Sequence, residues 1–229
     1  MITFSVVTIM PEIFDSYLKM SIIGRAVKKK LVKLNFVNPR RFTKDRHKTV
    51  DDRSYGGGAG MVLKPEPLLK AVDYLKNKSK NSKQKIVLLS AKGKQFNQKM
   101  AYHWAKSYKN IIFISGRYEG IDERVRIALK AEEISIGPYI LTDGDVAVMA
   151  IISAVTRLIP GAIKLESLYE ESHWNVRLKK DERGKLEYPH YTRPETLVYQ
   201  GRKYRVPKVL LSGDHQKIEK WRKEHQKTV

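Results

Sequence analysis

The sequence predicts an α/β fold built around a mostly parallel sheet. Two short apolar runs, Lys85–Leu89 and Asn110–Ile114, flank a segment with helical spacing, Phe96–Tyr108. Parallel strands that are buried on both faces have this continuous apolar character, and a helix supplies the crossover that joins them. A third observation is the apolar N-terminus, Met1–Met10, which predicts another buried strand.

The N-terminal elements follow in order from local signals. The strand over Met1–Met10 lacks the basic region and small-residue cleavage site of a signal peptide. Pro11 and Glu12 then favour a helix start, because proline fits the first turn and an acid favours its dipole. Leu31–Val37 alternates as a strand does. Residues 39–60 are polar and glycine-rich and predict a long loop.

The later elements divide the chain into three parts. They are a helix over Pro65–Leu75, a mobile turn over Lys76–Lys85, the strand–helix–strand unit, a helix over Asp122–Lys130, a short strand over Glu133–Ile136 and a nearly all-apolar helix over Asp145–Leu158. These elements predict an α/β domain over residues 1–160. Residues 161–188 are charged and aperiodic and predict a flexible connector. Residues 189–229 predict a small helical domain, because Asp214–Gln226 has helical spacing.

Composition excludes several kinds of chemistry. The chain of 229 residues has no cysteine, which rules out disulfides, thiolate-bound metals and thiol catalysis. The six histidines lack the spacing of metal ligands, so no protein-built metal site is predicted. No apolar run approaches the roughly 18 residues of a membrane span. We therefore expect a cytoplasmic protein with no membrane association.

Charge is distributed unevenly. The net charge is +21, from 45 basic and 24 acidic residues. Residues 1–50, 51–110 and 176–229 carry net charges of +8, +9 and +8, whereas residues 111–175 carry −4. Basic regions of this kind favour a polyanionic partner, although solubility alone also explains surface lysines. The acidic window suggests a separate task for the middle of the chain.

Two polar segments are candidates for contact with a ligand. Tyr55–Met61 holds four glycines, which allow close backbone approach but also serve in plain turns. It lacks the lysine of a phosphate-binding loop and fails the dinucleotide pattern. Arg40–Lys48 combines basic residues with an aromatic ring, which suits phosphates and bases, and equally a solvated loop.

Three short loops follow predicted strands, and two of them contain glycine. They are Leu89–Ala91, Ser115–Gly120 and Ile136–Gly144. Ligands of open α/β sheets bind outside the carboxyl ends of the strands. The three loops together therefore predict one compact pocket lined by backbone, although each alone would pass for a tight turn.

The order of motifs along almost the whole chain resembles bacterial tRNA (guanine-N1)-methyltransferases. The motifs that carry this resemblance are Pro11–Phe14, Gly24–Val27, Asp45–His47, Thr49–Arg53, Tyr55–Met61, Gly116–Arg124, Ser135–Gly137, Tyr139–Leu141, Arg157–Gly161, Pro189–Pro194 and Leu210–Gly213. The strings Tyr55–Met61 and Gly116–Arg124 are the most specific. The resemblance implies methylation of the guanine at tRNA position 37 by a homodimer whose active site is shared between subunits.

The same resemblance implies the SPOUT class, with a deep trefoil knot and S-adenosylmethionine as cofactor. The implied cofactor-binding residues are Leu89, Ser90, Ala91, Gly116, Tyr118, Glu119, Ile136, Gly137, Pro138, Tyr139, Ile140, Leu141 and Gly144. The implied substrate-binding residues are His47, Asp51, Arg53, Gly58 and Gly60. Magnesium is implied as an ion held partly by the substrate and cofactor, with Glu119 as a candidate protein ligand.

Two catalytic roles are implied as well. The family places an arginine at guanine O6 and an acid at N1; Arg157 matches the arginine, and Glu171 matches the acid if one residue is deleted from the connector. Without that gap Ser172 takes the position. The chain also departs from the family at Ala59 and at Asp143–Asp145, where Asp143 replaces a glycine near the cofactor.

Two other functions remain open at the level of the sequence. One is a non-catalytic RNA-binding or ribosome-associated protein that uses only its charge. The other is a SPOUT methyltransferase that acts on a different RNA. Arg157 together with a connector carboxylate favours the tRNA enzyme.

Overall fold

A computed structural model describes residues 1–79, 83–164 and 187–226 of the chain. The chain divides into two compact units, residues 1–164 and residues 165–229. The predicted connector falls mostly on residues 165–186, which lie outside the described residues, as do residues 80–82 of the predicted turn.

The described strands and helices alternate through most of the first unit. The strands are β1 (Ile2–Val7), β2 (Val32–Val37), β3 (Asp51–Arg53), β4 (Met61–Leu63), β5 (Gln84–Gln95), β6 (Asn110–Ile114), β7 (Glu132–Ser135), β8 (Thr196–Tyr199) and β9 (Arg202–Arg205). The helices are α1 (Asp15–Leu18), α2 (Ser21–Lys28), α3 (Pro65–Asn77), α4 (Gln98–Ser107), α5 (Glu123–Leu129), α6 (Asp145–Thr156), α7 (Lys208–Leu211) and α8 (His215–Glu224). Short 3-10 helices over Pro11–Phe14 and Pro39–Phe42 complete the set.

A five-stranded sheet with the order β2-β1-β6-β5-β7 forms the centre of the first unit. Every pairing within it is parallel. The predicted α/β class with a parallel sheet is therefore confirmed. Because all five strands point the same way, the loops that follow β5, β6 and β7 leave the same edge of the sheet.

Both faces of the sheet are covered by apolar side chains. Phe113 of β6 belongs to the core cluster that includes Trp104 of α4 and Val148 of α6. Ile112, one position earlier on β6, belongs to the opposite cluster with Val72 of α3. The alternation of β6 between two buried clusters explains its uninterrupted apolar sequence, since neither face is solvated.

The long loop predicted over residues 39–60 is wrong in part. A 3-10 helix occupies Pro39–Phe42, and β3 pairs with β4 in an antiparallel hairpin that places Asp51 opposite Leu63. The turn between these strands holds Gly56, Gly57, Gly58 and Gly60, all with positive φ. Strands of only three residues are too short to show a period in a sequence.

The predicted end of the third strand at Leu89 is also wrong. β5 continues to Gln95, with a shift in its pairing to β7 between Leu89 and Lys94. The segment predicted as a loop over Leu89–Ala91 therefore lies inside a long irregular strand. The outer half of this strand cannot be recognised in the sequence. Lysines alternate there with small residues, which leaves little apolar surface to bury.

The small helical domain predicted over residues 189–229 is not purely helical. Its described part contains the antiparallel hairpin β8–β9 as well as α7 and α8. Gln200 and Gly201 both adopt positive φ at the hairpin turn, which suits the tight two-residue connection. Trp221 of α8 stacks on His225, with ring centroids 4.1 Å apart.

None of the described helices is both long and apolar enough to cross a membrane.

Candidate active site

A cavity of about 460 Å³ opens at the carboxyl edge of the sheet. Its walls come from β5 and from the loops after β6 and β7, which is where the sequence predicts a pocket. The structure brings together all of the predicted cofactor-binding residues except Pro138. Tyr139, Ile140 and Tyr118 are largely exposed within this group and form its apolar rim.

Two glycines let the loops approach one another closely. The amide of Gly144 donates a hydrogen bond to the carbonyl of Gly116 at 2.9 Å. A Cβ on Gly144 would lie 3.0 Å from the amide nitrogen of Gly116 and 3.2 Å from the Cβ of Leu89. A Cβ on Gly137 would collide with the ring of Tyr139. The pocket wall at Gly144 is backbone because a side chain there would press on Gly116 and Leu89.

The glycine-rich hairpin is fastened to the loop after β6. Glu119 donates its amide hydrogen to Met61 at 3.0 Å, Leu63 donates to Gly120 at 3.0 Å, and Asp122 donates to Leu63 at 3.1 Å. These bonds bring Gly60 against Glu119, so that a Cβ on Gly60 would lie 2.7 Å from Oε1 of that carboxylate. The hairpin thus borders the pocket, and its two three-residue strands gave no sign of this contact in the sequence.

A buried ion cluster, which the sequence did not reveal, lies beside this loop. Nη2 of Arg117 donates to Oδ2 of Asp145 at 2.9 Å and lies 3.4 Å from Oδ2 of Asp143. The Asp145 side chain is fully buried, and those of Asp143 and Arg117 are 11% and 20% exposed. Oδ1 of Asp143 also accepts the amide hydrogen of Asp145, the first residue of α6, at 2.8 Å.

The charged side chains of the pocket are mostly acidic. The acidic lining residues are Glu119, Glu123, Glu133 and Asp143, and the basic ones are Lys92 and Arg117. Four acids against two bases leave a net charge of −2 at the cavity. Such a cavity favours a cationic ligand over an anionic one.

Charged side chains at the start of α5 hold one another in the ionised form. Arg124 donates to both carboxylate oxygens of Asp122, which lowers the pKa of that carboxyl below its usual range. Asp122 also accepts the amide hydrogen of Arg124 and caps the helix. A hydrogen bond from Arg126 likewise lowers the pKa of Glu123.

The predicted substrate-binding residues are only partly brought to the cavity. Gly60 reaches it through Glu119, whereas His47 is exposed and Asp51 and Arg53 lie on β3, away from the lining. Gly58 lies in the turn between them, with φ of 123°. Of the five residues, Gly60 is the one that the structure places against a residue of the cavity lining.

The predicted catalytic residues are not brought together by the described part of the chain. Arg157 follows the last turn of α6 as its C-cap and does not line the cavity. Glu171 and the alternative Ser172 lie outside the described residues. Arg157 is thus placed one helix length from Asp145, at the opposite end of α6.

Comparison with known proteins agrees with the resemblance seen in the motifs. Residues 2–229 match the family described as tRNA (guanine-1)-methyltransferase TrmD. A tRNA (guanine-N(1)-)-methyltransferase of Carboxydothermus hydrogenoformans is 48% identical over 219 residues, covering 95% of this chain and 80% of that protein. One from Trichodesmium erythraeum is 45% identical over 224 residues, covering 97% and 92%. One from Buchnera aphidicola is 45% identical over 221 residues, covering 96% and 88%.

Proposed function

The chain belongs to the tRNA (guanine-1)-methyltransferase family, and from this we propose that it transfers a methyl group to N1 of the guanine at position 37 of tRNA. The predicted family is confirmed, and the chain is a methyltransferase. The observation that carries the proposal is the cavity at the carboxyl edge of the sheet, walled by the motifs that define the family resemblance.

The cavity fits S-adenosylmethionine in size, wall and charge. Its volume of about 460 Å³ lies within the usual range of small-molecule sites. Glycines at positions 116, 137 and 144 let an adenine ring approach the backbone of the wall closely, and the net negative lining suits a sulfonium and an ammonium group. When bound, the cofactor supplies an electrophilic methyl group.

Arg157 and Glu171 are proposed to activate the guanine. N1–H of guanine is a weak acid, and negative charge develops on O6 as the proton leaves. A guanidinium at O6 stabilises that charge, and a carboxylate at N1 accepts the proton. We assign the first role to Arg157 and the second to Glu171. The assignment of Glu171 rests on the alignment of the connector.

Substitutions in the connector test the choice of general base. If Glu171 accepts the proton, Glu171→Gln should reduce single-turnover methyl transfer by at least about 100-fold, the usual scale of general-base catalysis. Ser172→Ala, the matched control, should retain the rate within about threefold. The reverse pattern would assign the position to Ser172 and remove Glu171 from the mechanism.

A magnesium site is not built by the described residues. No group of three or more histidine and acidic side chains in the described ranges is placed to hold a metal ion. Magnesium, proposed from the family resemblance, would therefore be held by the substrates with Glu119, and no step is derived through it.

The assembly and remaining architecture are proposed on separate grounds. Val146 at the start of α6 leaves 46% of its surface exposed, and Tyr17, which donates to Ser153 on α6, leaves 48%. This exposed apolar surface beside α6, together with the family resemblance, supports a homodimer with a shared active site. The trefoil knot within residues 1–160 is proposed from the family resemblance alone. We further propose that residues 189–229 bind tRNA and that the enzyme acts in the cytoplasm.

Transfer of a labelled methyl group tests the proposed function directly. We expect S-adenosylmethionine to label a tRNA transcript with guanines at positions 36 and 37, and replacement of guanine 37 to abolish labelling. The absence of transfer to either transcript would leave a non-catalytic RNA-binding protein as the better description. Equal labelling of both would indicate a different target nucleotide or RNA.

A further inference from the structure

Tyr118 adopts a backbone conformation that its side chain disfavours. Its φ is +59°, in the left-handed region where a bulky residue is strained. Its ring is 52% exposed and lines the cavity between Gly116 and Glu119. Strain of this kind persists only where the surroundings hold it, and it is commonly found at functional sites.

The turn is held on both sides of Tyr118. On the C-terminal side, the amide of Glu119 donates to Met61 at 3.0 Å, and Gly120 donates back to the carbonyl of Arg117 at 3.2 Å. On the N-terminal side, the Arg117 side chain is bound to Asp145 at 2.9 Å and to Asp143 at 3.4 Å. The second anchor belongs to α6 and to the loop after β7, so it also joins two walls of the pocket.

The interaction that anchors Arg117 is electrostatic. Water screens it only weakly, because the charged groups are mostly buried. Asp145 is fully buried at the first turn of α6, and Arg117 is mostly buried. Removing the guanidinium would leave two carboxylates facing each other without their shared counter-charge. The loop after β6 would then lose its side-chain tie to the loop after β7, whereas the backbone hydrogen bond from Gly144 to Gly116 would remain.

We infer that Arg117 is a positioning residue of the cofactor pocket. Its ion pairs with Asp145 and Asp143 hold Tyr118 in the left-handed turn, and the turn presents Tyr118 and Glu119 to the cavity. The inference rests on the proposed function for the identity of the ligand. The placement of the ion cluster itself comes from the structure.

Cofactor affinity of the full chain tests the inference. Arg117→Met should raise the dissociation constant for S-adenosylmethionine, measured by titration calorimetry, at least tenfold. The KM for the cofactor should rise in parallel, whereas kcat at saturating cofactor and the KM for tRNA should change less than threefold. Arg124→Met, which removes an exposed arginine–aspartate pair outside the cavity, is the matched control and should leave cofactor affinity within twofold.

A second variant separates positioning from general stability. Asparagine tolerates the left-handed region better than tyrosine, so Tyr118→Asn relieves the strain that the anchor opposes. In that background Arg117→Met should raise the dissociation constant by less than threefold. If Arg117→Met raises the dissociation constant by the same factor with and without Tyr118→Asn, the inference is overturned, since Arg117 would then act independently of the turn.

The variants also cover failure to fold. If Arg117→Met does not fold, Arg117→Lys retains the charge but loses the planar guanidinium fork, and should raise the dissociation constant about three- to tenfold. A folded Arg117 variant with wild-type affinity overturns the inference but leaves the methyltransferase intact. A wild-type chain that binds the cofactor and does not methylate tRNA would overturn the proposed function only.

Discussion

Arg157 and the pocket residues are separated by the length of α6, which predicts separable effects on catalysis and on cofactor binding. Arg157→Ala should lower the rate of methyl transfer about 100- to 1,000-fold, the usual loss when one donor to a developing oxyanion is removed. The dissociation constant for S-adenosylmethionine should stay within threefold, because Arg157 does not line the cavity. Rapid-quench kinetics and calorimetry measure the two quantities. A large loss of cofactor affinity would instead place Arg157 in the binding site.

Gly60 offers a test of the contact between the glycine-rich hairpin and Glu119. Gly60→Ala places a Cβ 2.7 Å from Oε1 of Glu119 and should displace that carboxylate from the pocket. We expect cofactor affinity to fall about three- to tenfold, measured by calorimetry. The backbone penalty at φ of +81° adds a stability loss of about 1 kcal/mol.

Gly56→Ala is the matched control for that backbone penalty. Gly56 has nearly the same φ, +82°, and open space where the new Cβ would lie. It should lose similar stability and retain cofactor affinity. Equal affinities for the two alanine variants would show that the hairpin does not position Glu119.

Among the elements, β5 depends on a glycine at the point where its pairing shifts. A Cβ on Gly93 would lie 2.5 Å from the amide nitrogen of Ile134 and 2.6 Å from the carbonyl carbon of Glu133, both backbone atoms of β7. Gly93→Ala should therefore push β7 away and lower the free energy of unfolding by about 1–3 kcal/mol. Lys94→Ala, an exposed neighbour on the same strand, is the control. Indistinguishable denaturant midpoints for the two variants would contradict this role of Gly93.

The sequence predicts best those elements whose apolar periodicity, or whose uninterrupted apolar run, results from burial. β6 and the helix α6 are buried over most of their length, so their apolar residues follow from packing alone. The hairpin β3–β4 and the outer half of β5 are held by backbone hydrogen bonds to distant segments, which leave no periodic trace. The same reason explains the site: the glycine-containing loops were visible, whereas the partners of Arg117 could not be identified because the cluster depends on a tertiary contact 28 residues apart along the chain.

At the scale of the whole molecule, acidic and basic residues are concentrated in different parts of the sequence. The acidic window over residues 111–175 contains β7, nearly all of β6 and most of the residues that line the cavity, whereas the basic regions lie before and after it in the sequence. The second unit presents Arg202, Lys203 and Arg205 on β9, every residue of which is exposed. Binding of tRNA and of the cofactor should therefore respond to salt in different ways.

The salt dependence of the two affinities tests this division. Each phosphate contact contributes a slope of about −0.7 to −0.9 to the logarithm of the tRNA association constant plotted against the logarithm of salt concentration. We expect a slope steeper than about −3 for tRNA, measured by fluorescence anisotropy between 50 and 200 mM salt, and one shallower than about −1 for S-adenosylmethionine. The triple variant with Arg202→Gln, Lys203→Gln and Arg205→Gln should reduce the tRNA slope by about 1–3 and leave cofactor affinity unchanged. An unaltered slope would remove β9 from the tRNA-binding surface, and equal salt slopes for the two ligands would contradict the division of charge.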